Sequence, residues 1–474
     1  MTTASTAKST APLHRQIYED WREGILTGRY RSGERVPSTR ELAVTMGVAR
    51  STVTAAYEQL ISEGYLESTR GSGTFVCREL PEQLMHARPA RPAAQTHARI
   101  RLSTFASELP APQACVPGKP GACWLRFSRW RPDLNRFPFA IWHKLMNRHL
   151  RGIAEPCFDY ADTPWGYEPL RREIAAYLGR SRAVRCTAEQ VLIVNGSQQG
   201  LDLCARVLLD RGDEVALENP GYLGARRVFE AHGARLMATP LDHDGLIPSA
   251  LSDKARLVYV TPSHQFPTGV SMSVARRLEL LEWARRQGVA VIEDDYDSEY
   301  RYSGAPLPAM QGLANGAGVI YIGTFSKVMF PGLRLGYVVM PPELAGAFGS
   351  VKWLADLQSP VLEQAVLTYF LREGHLDRHI RRMRRLYGRR REVMVAALEK
   401  YFGSSATVLG DAAGMHSLVR FEDGAVAERA VANKVHLASS AGNYLGAAPA
   451  NEFVFGFSCV SEQAIRAGIR RLAG

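Results

Sequence analysis

The chain has 474 residues, 46% of them hydrophobic, with a formal net charge of +11. Its length supports several buried cores and more than one domain. No apolar run is long enough to span a bilayer, and the opening MTTASTAKSTAPLHRQ lacks the hydrophobic segment of a secretory signal, so a cytoplasmic protein with no membrane role is expected.

The seven cysteines are scattered without a CxxC pair, which argues against a disulfide framework or a zinc knuckle and for reduced, mostly structural thiols. The positive charge is not an argument for DNA binding by the N-terminal segment. Residues 1–79 hold ten Lys/Arg against nine Asp/Glu, so any such case rests on pattern.

That pattern is VPSTRELAVTMGVARSTVTAAYEQLISEGYLESTRGSGTFV. Ser38 followed three residues later by Glu41 is a capping box, predicting a short helix through Met46 that stops at Gly47. A second helix opens near Arg50 and Ser51, with Val53, Ala56, Tyr57, Leu60 and Ile61 as its buried stripe. Its first turn offers Arg50, Ser51, Thr52 and Thr54, groups suited to phosphates and to guanine edges in a major groove. Gly64 ends the helix, and YLESTRGSGTFV reads as a two-stranded wing with a Gly-rich tip. A small helical dimerisation module with a hairpin fits the same spacing.

Residues 80–122, rich in Pro and Ala, read as an extended, exposed linker. Beyond it, short apolar runs alternate with helical patterns, predicting an α/β domain around a largely parallel sheet, with ligands beyond the strands' carboxyl ends. VLIVNGSQQGLDL is strand, turn and helix, so the backbone around Gly196 and Gln198 and the Ser197 hydroxyl form an anion site. ENPGYLG places Tyr222 after a strand, ready to stack on a ring. VAVIEDDYDSEY puts Asp294 at the end of a buried strand and Tyr296 on the same side; Asp295, Asp297 and Glu299 read as structural or solvent-facing, and the run lacks the pattern of a calcium loop. YIGTFSKVMFPGLRLGY adds Thr324, Ser326, Lys327 and Arg334. A lysine, a phosphate-binding turn, a strand-end carboxylate and an arginine are what a cofactor aldehyde with a phosphate and a ring nitrogen requires. No metal is expected.

Residues 11–79 resemble a GntR-type winged helix through PSTREL, GVARSTV, AYEQLISEGYL and GSGTFV. The resemblance implies contacts with a double-stranded DNA operator from Arg40, Arg50, Ser51, Thr52 and Thr54, and from the wing at Gly71, Ser72 and Gly73. Residues 123–474 resemble fold-type I, class I and II aminotransferases, which implies that Lys327 forms the internal aldimine with pyridoxal 5'-phosphate and that Arg334 binds its phosphate. Joined in this order, the N-terminal α/β winged helix-turn-helix and the α/β fold-type I domain resemble the MocR/GabR-type regulators, as do SHQFPTG, EDDYDSEYRY and YIGTFSK. This implies a homodimer, head-to-tail and domain-swapped, that senses a small-molecule effector (an amine, an amino acid or the cofactor itself) and is associated with the bacterial nucleoid when DNA-bound. Two rivals are an active aminotransferase carrying a DNA-binding domain and a structural DNA-binding protein whose C-terminal half only dimerises.

Two departures from ordinary aminotransferases stand out. Phe266 in FPTG replaces an asparagine, leaving Tyr296 to bond the cofactor's phenolic oxygen. Val454 in FVFGF stands where an arginine usually holds the substrate α-carboxylate, so the standard clamp is expected to be missing unless Arg420 in HSLVRF or an arginine of the partner subunit replaces it.

Overall fold

The computed structural model describes residues 11–69, 71–81, 101–109, 124–127, 131–152, 159–160, 163–304, 306–410 and 413–474. The chain divides into two compact units, Met1–Arg101 and Leu102–Gly474. No helix of the described residues is long and apolar enough to cross a membrane. Much of the linker expected at 80–122 lies outside the described residues. The piece that is described, 101–109, contains a five-residue helix, Thr104–Glu108, capped by Ser103 Oγ accepting from the Ala106 amide, rather than extended chain throughout.

In the first unit, α1 (Leu13–Leu26), α2 (Thr39–Met46) and α3 (Arg50–Ser62) pack with a three-stranded sheet of β1 (Arg35–Val36), β3 (Gly73–Val76) and β2 (Leu66–Thr69). The capping box is present: Ser38 Oγ accepts from the Glu41 amide at 3.2 Å while Glu41 accepts from the Ser38 amide at 2.8 Å. Gly47 ends α2 in the left-handed region at φ 64°. The core joins Ile17, Trp21 and Ile25 of α1 to Val53, Ala56, Tyr57 and Leu60 of α3, with Trp21 stacked on Tyr30 at 4.2 Å. Ile61, expected in the buried stripe, is instead 37% exposed. It follows Leu60 by about 100° around the helix, and Leu60 already fills the seam.

In the second unit the sheet order is β5 (Val191–Val194), β12 (Gly336–Val339), β11 (Val319–Thr324), β10 (Ala290–Asp295), β9 (Ala255–Val260), β6 (Glu214–Asn219), β7 (Arg235–Asp242) and β8 (Gly245–Leu246). The pairs from β11 through β10, β9 and β6 to β7 are parallel, while β12 runs antiparallel to both β11 and β5. β5, β11 and β12 are buried along their whole length, which is why they read as continuous apolar runs, and β10 is buried from Val291 to Asp295. A smaller antiparallel sheet follows: β13 (Ala406–Leu409), β14 (His416–Phe421), β17 (Glu452–Gly456) and β16 (Ala438–Ser439). One of its faces packs Val419, Phe421, Phe453 and Phe455 into the core.

Candidate functional site

The carboxyl ends of the parallel strands, and the start of antiparallel β12, gather at one edge of the large sheet, and every residue expected to hold the cofactor sits there. β5 leads through Asn195 into Gly196 and the helix Ser197–Leu208. Gly196 has φ 85°, and a Cβ there would lie 2.9 Å from Arg334 Nη2, so only glycine leaves the guanidinium its place. Arg334, itself left-handed at φ 53°, donates from Nη2 to the Asn195 carbonyl at 2.7 Å. The helix start, the Ser197 hydroxyl and this guanidinium form a cradle for an anion. The Gln198 side chain turns away, donating to the Gly224 carbonyl at 3.3 Å, so its contribution to the cradle is its backbone.

Asp294 is the penultimate residue of β10. Its Oδ2 accepts from the Tyr259 hydroxyl at 2.8 Å, while Oδ1 is buried without a hydrogen-bond partner among the described residues. Burial pushes this carboxyl up to about 7, opposed by the Tyr259 hydrogen bond and the Lys327 charge. An orphaned buried carboxylate oxygen is costly, and a protonated pyridine nitrogen would satisfy it. Lys327 follows β11; burial lowers its pKa, with Asp297 and then Asp294 pulling the other way. Thr324 Oγ1 accepts from the Ser326 amide at 3.1 Å, and Ser326 Oγ is a second buried oxygen without a partner. Tyr222, beyond β6, meets Phe266 edge-on at 5.8 Å. Glycine cradle, unsatisfied carboxylate and a buried lysine of lowered pKa together fit pyridoxal phosphate.

The fold gives the remaining candidates partners of their own. The Tyr296 hydroxyl, assigned to a phenolic oxygen, donates to the His264 carbonyl at 2.8 Å and lies 3.1 Å from His264 Nδ1. The acidic run is not solvent-facing. Asp295 pairs with Arg182 at 2.8 Å, Glu299 accepts from the Tyr177 hydroxyl at 2.9 Å, and Asp297 is 1% exposed. Asp297 accepts from His264 Nδ1 at 3.0 Å and from the Met415 amide at 3.1 Å. Arg420 is no substitute clamp, since its Nε and Nη2 both bond Glu452 Oε2, at 3.1 and 2.8 Å. Of the cysteines, Cys77, Cys186, Cys204 and Cys459 form no disulfide among the described residues, and Cys115, Cys123 and Cys157 lie outside them.

Sequence reasoning missed His264 and His416. With Asp297 they place three buried ligand-type atoms within 4.8 Å of one another, beside Lys327. A histidine preceding the FPTG turn was the available signal; the partner from the small sheet was not foreseeable from spacing.

On the first unit, Arg40, Arg50, Ser51, Gly71 and Ser72 are exposed, and Thr52, Thr54 and Gly73 are half-buried. Arg50 Nε donates to Thr39 Oγ1 at 3.3 Å, tying the turn between α2 and α3, and the Thr54 hydroxyl donates to the Arg50 carbonyl at 3.0 Å. Gly71 and Gly73 are left-handed at φ 84° and 116°, and a Cβ on Gly73 would lie 2.9 Å from Arg35 Nε.

Residues 13–76 match the model of the bacterial regulatory proteins of the gntR family, and residues 134–472 match that of aminotransferase class I and II. The chain is 38% identical over 470 residues to the probable rhizopine catabolism regulatory protein MocR of Rhizobium meliloti, covering 97% of this chain and 93% of that protein. It is 38% identical to the HTH-type transcriptional regulator TauR of Rhodobacter capsulatus, over 80% of this chain and 78% of that one. Among solved structures it is similar to LysN, the α-aminoadipate aminotransferase of Thermus thermophilus, complexed with N-(5'-phosphopyridoxyl)-L-leucine. That likeness has a TM-score of 0.68 and 31% identity, over 74% of this chain and 91% of that one.

Proposed function

Because the chain belongs to the MocR-type regulators, in which a GntR winged helix is joined to an aminotransferase class I and II domain, we propose that its lysine site is a sensor read out as altered DNA binding. The protein is a DNA-binding transcriptional regulator, and its cofactor is pyridoxal phosphate. When bound, that cofactor supplies an aldehyde that takes up primary amines and a pyridinium ring that draws electron density from them.

The chain's own groups carry the rest. Lys327, with its pKa lowered by burial, presents a nucleophilic amine at the sheet edge. Asp294 offers Oδ1 to a ring N–H and keeps the proton there. Arg334, Ser197, the backbone at Gly196 and Gln198, and the hydroxyls of Thr324 and Ser326 receive the phosphate, while Tyr222 covers a ring face. Tyr296 reaches the phenolic oxygen only by giving up its bond to His264. Arg40, Arg50, Ser51, Thr52, Thr54 and the wing at Gly71–Gly73 meet the operator, and a head-to-tail, domain-swapped homodimer presents two such surfaces. Effector binding that favours one dimer conformation shifts how they meet their half-sites.

The observation that carries this reading is the unsatisfied Asp294 Oδ1 facing the same sheet edge as Lys327 and the Arg334–Gly196 cradle, on a chain that also bears an exposed recognition turn. The test is a footprinting titration of the full chain on the DNA upstream of its own gene, with and without amines. Binding indifferent to every amine, with cofactor attached, refutes the sensor. The complete lysine, carboxylate and arginine set favours a second reading, an active aminotransferase; sustained turnover with a keto-acid acceptor would establish it.

A further inference from the structure

The His264–Asp297–His416 group lies outside the cofactor cradle and has no role in holding the phosphate or the ring nitrogen. Its chemistry is specific. Asp297 accepts from His264 Nδ1 at 3.0 and 3.2 Å, which makes Nδ1 the donor and, in the neutral ring, Nε2 the acceptor. That Nε2 is buried and has no hydrogen-bond partner among the described residues, on a side chain 1% exposed. It therefore calls for a donor. A carboxylate offers none, and it would meet Asp297 and Asp294 as like charges.

Among the described residues, the neighbouring wall of the small sheet offers no uncommitted arginine in compensation. In β14 and β17, His416 lies opposite Gly456 and Leu418 opposite Val454, so His416, Leu418 and Val454 share one face of the small sheet. Val454 is 1% exposed and sits on the face away from the Phe453 and Phe455 core. The same face continues to Arg420, which is held by Glu452, and Glu452 in turn accepts from Ser440 and Tyr444 at 2.8 and 2.7 Å. The His416 ring lies 4.7 Å from that of His264, and burial pushes its pKa well below the ordinary value.

Resting on the sensor reading above, we propose that the effector is a primary amine whose remaining polar groups are hydroxyls rather than a carboxylate, and that His264, oriented by Asp297, is the specificity-determining acceptor for one of them.

The test uses matched probes on the full-length, cofactor-loaded protein: 2-aminoethanol against glycine, and 2-amino-1,3-propanediol against serine, each pair exchanging CH₂OH for a carboxylate. Visible absorbance and melting temperature are followed. The amino alcohols should saturate both signals at concentrations at least about tenfold lower than their carboxylate counterparts, the scale of one buried hydrogen bond to a fixed acceptor. His264→Phe should erase that preference, and Val454→Arg should shift it toward serine. Serine or glycine binding as tightly as its alcohol overturns the proposal, as does stoichiometric metal in the purified protein, which would make the three side chains a metal centre. Binding by neither class also overturns it. In every such case, borohydride labelling of Lys327 separates the two failures: labelled protein leaves the sensor reading standing, unlabelled protein removes both.

Discussion

The Tyr259 hydroxyl donates to Asp294 Oδ2 at 2.8 Å and leaves Oδ1 as the free half of a buried carboxyl. This bond orients the carboxyl and sets which oxygen faces the ligand. Asp294→Asn should therefore weaken cofactor binding by about 10- to 100-fold, the scale of a charged hydrogen bond of roughly 1.5–3 kcal/mol. Tyr259→Phe should weaken it less, because Oδ1 survives. Equilibrium dialysis against pyridoxal phosphate checks both, and equal losses would show that orientation matters as much as charge.

The same carboxyl predicts a pH dependence. Burial raises Asp294 and Glu218 each to about 7 in the fold. From about pH 4 to 7 the folded state thus holds protons on these two groups that the unfolded chain has released, and their contribution to the stability of cofactor-free protein falls as pH rises, against the opposite contribution of His379 and His416, whose burial lowers their pKa. The slope should approach about 1.4 kcal/mol per pH unit for each group. Loading the cofactor should flatten the Asp294 part, since a pyridinium stabilises the carboxylate. Urea melts at pH 5, 6 and 7, with and without cofactor and with Asp294→Asn, test this; a slope that neither the cofactor nor the substitution changes contradicts it.

Lys327→Ala should abolish the borohydride-stable adduct while the phosphate cradle still retains cofactor non-covalently. Mass spectrometry of the reduced, digested protein gives the answer, and a label on any other lysine places the site elsewhere.

Arg50→Ala should cost about 1–3 kcal/mol in operator binding and relax preference at one position per half-site if the side chain reads a base. A phosphate contact would instead weaken all sequences alike and reduce the salt slope by about one. The Arg50–Thr39 bond at 3.3 Å is long enough to yield to either partner. Unchanged affinity in a salt-titrated footprint excludes both roles.

What could be read from the sequence was whatever a short stretch decides alone. Ser38 and Glu41 cap a helix three residues apart; Gly196, Asp294, Lys327 and Arg334 each stand at a strand end or start that their own neighbours define. The His264 group was not legible, because His416 reaches it from a different sheet about 150 positions later, through tertiary packing that no local period encodes. Asp297 stayed open between a structural and a solvent-facing role for a related reason. An acidic run looks solvated until its partners, here His264 and the Met415 amide, arrive from elsewhere in the chain. Val454 was legible as a residue type, but its face followed only from the register with Leu418.

Gly414 stands at φ 82°, and a Cβ built on it would fall 1.8 Å from His264 Cε1. No side chain can be accommodated there while the imidazole keeps its position against Asp297. In evolutionary terms the two positions are inherited together: lineages that retain the histidine are confined to glycine at 414, and the glycine is released to drift only after the histidine has gone. A census of sequences descended from a common ancestor with this chain should therefore find alanine or larger residues at 414 almost exclusively where 264 is no longer histidine.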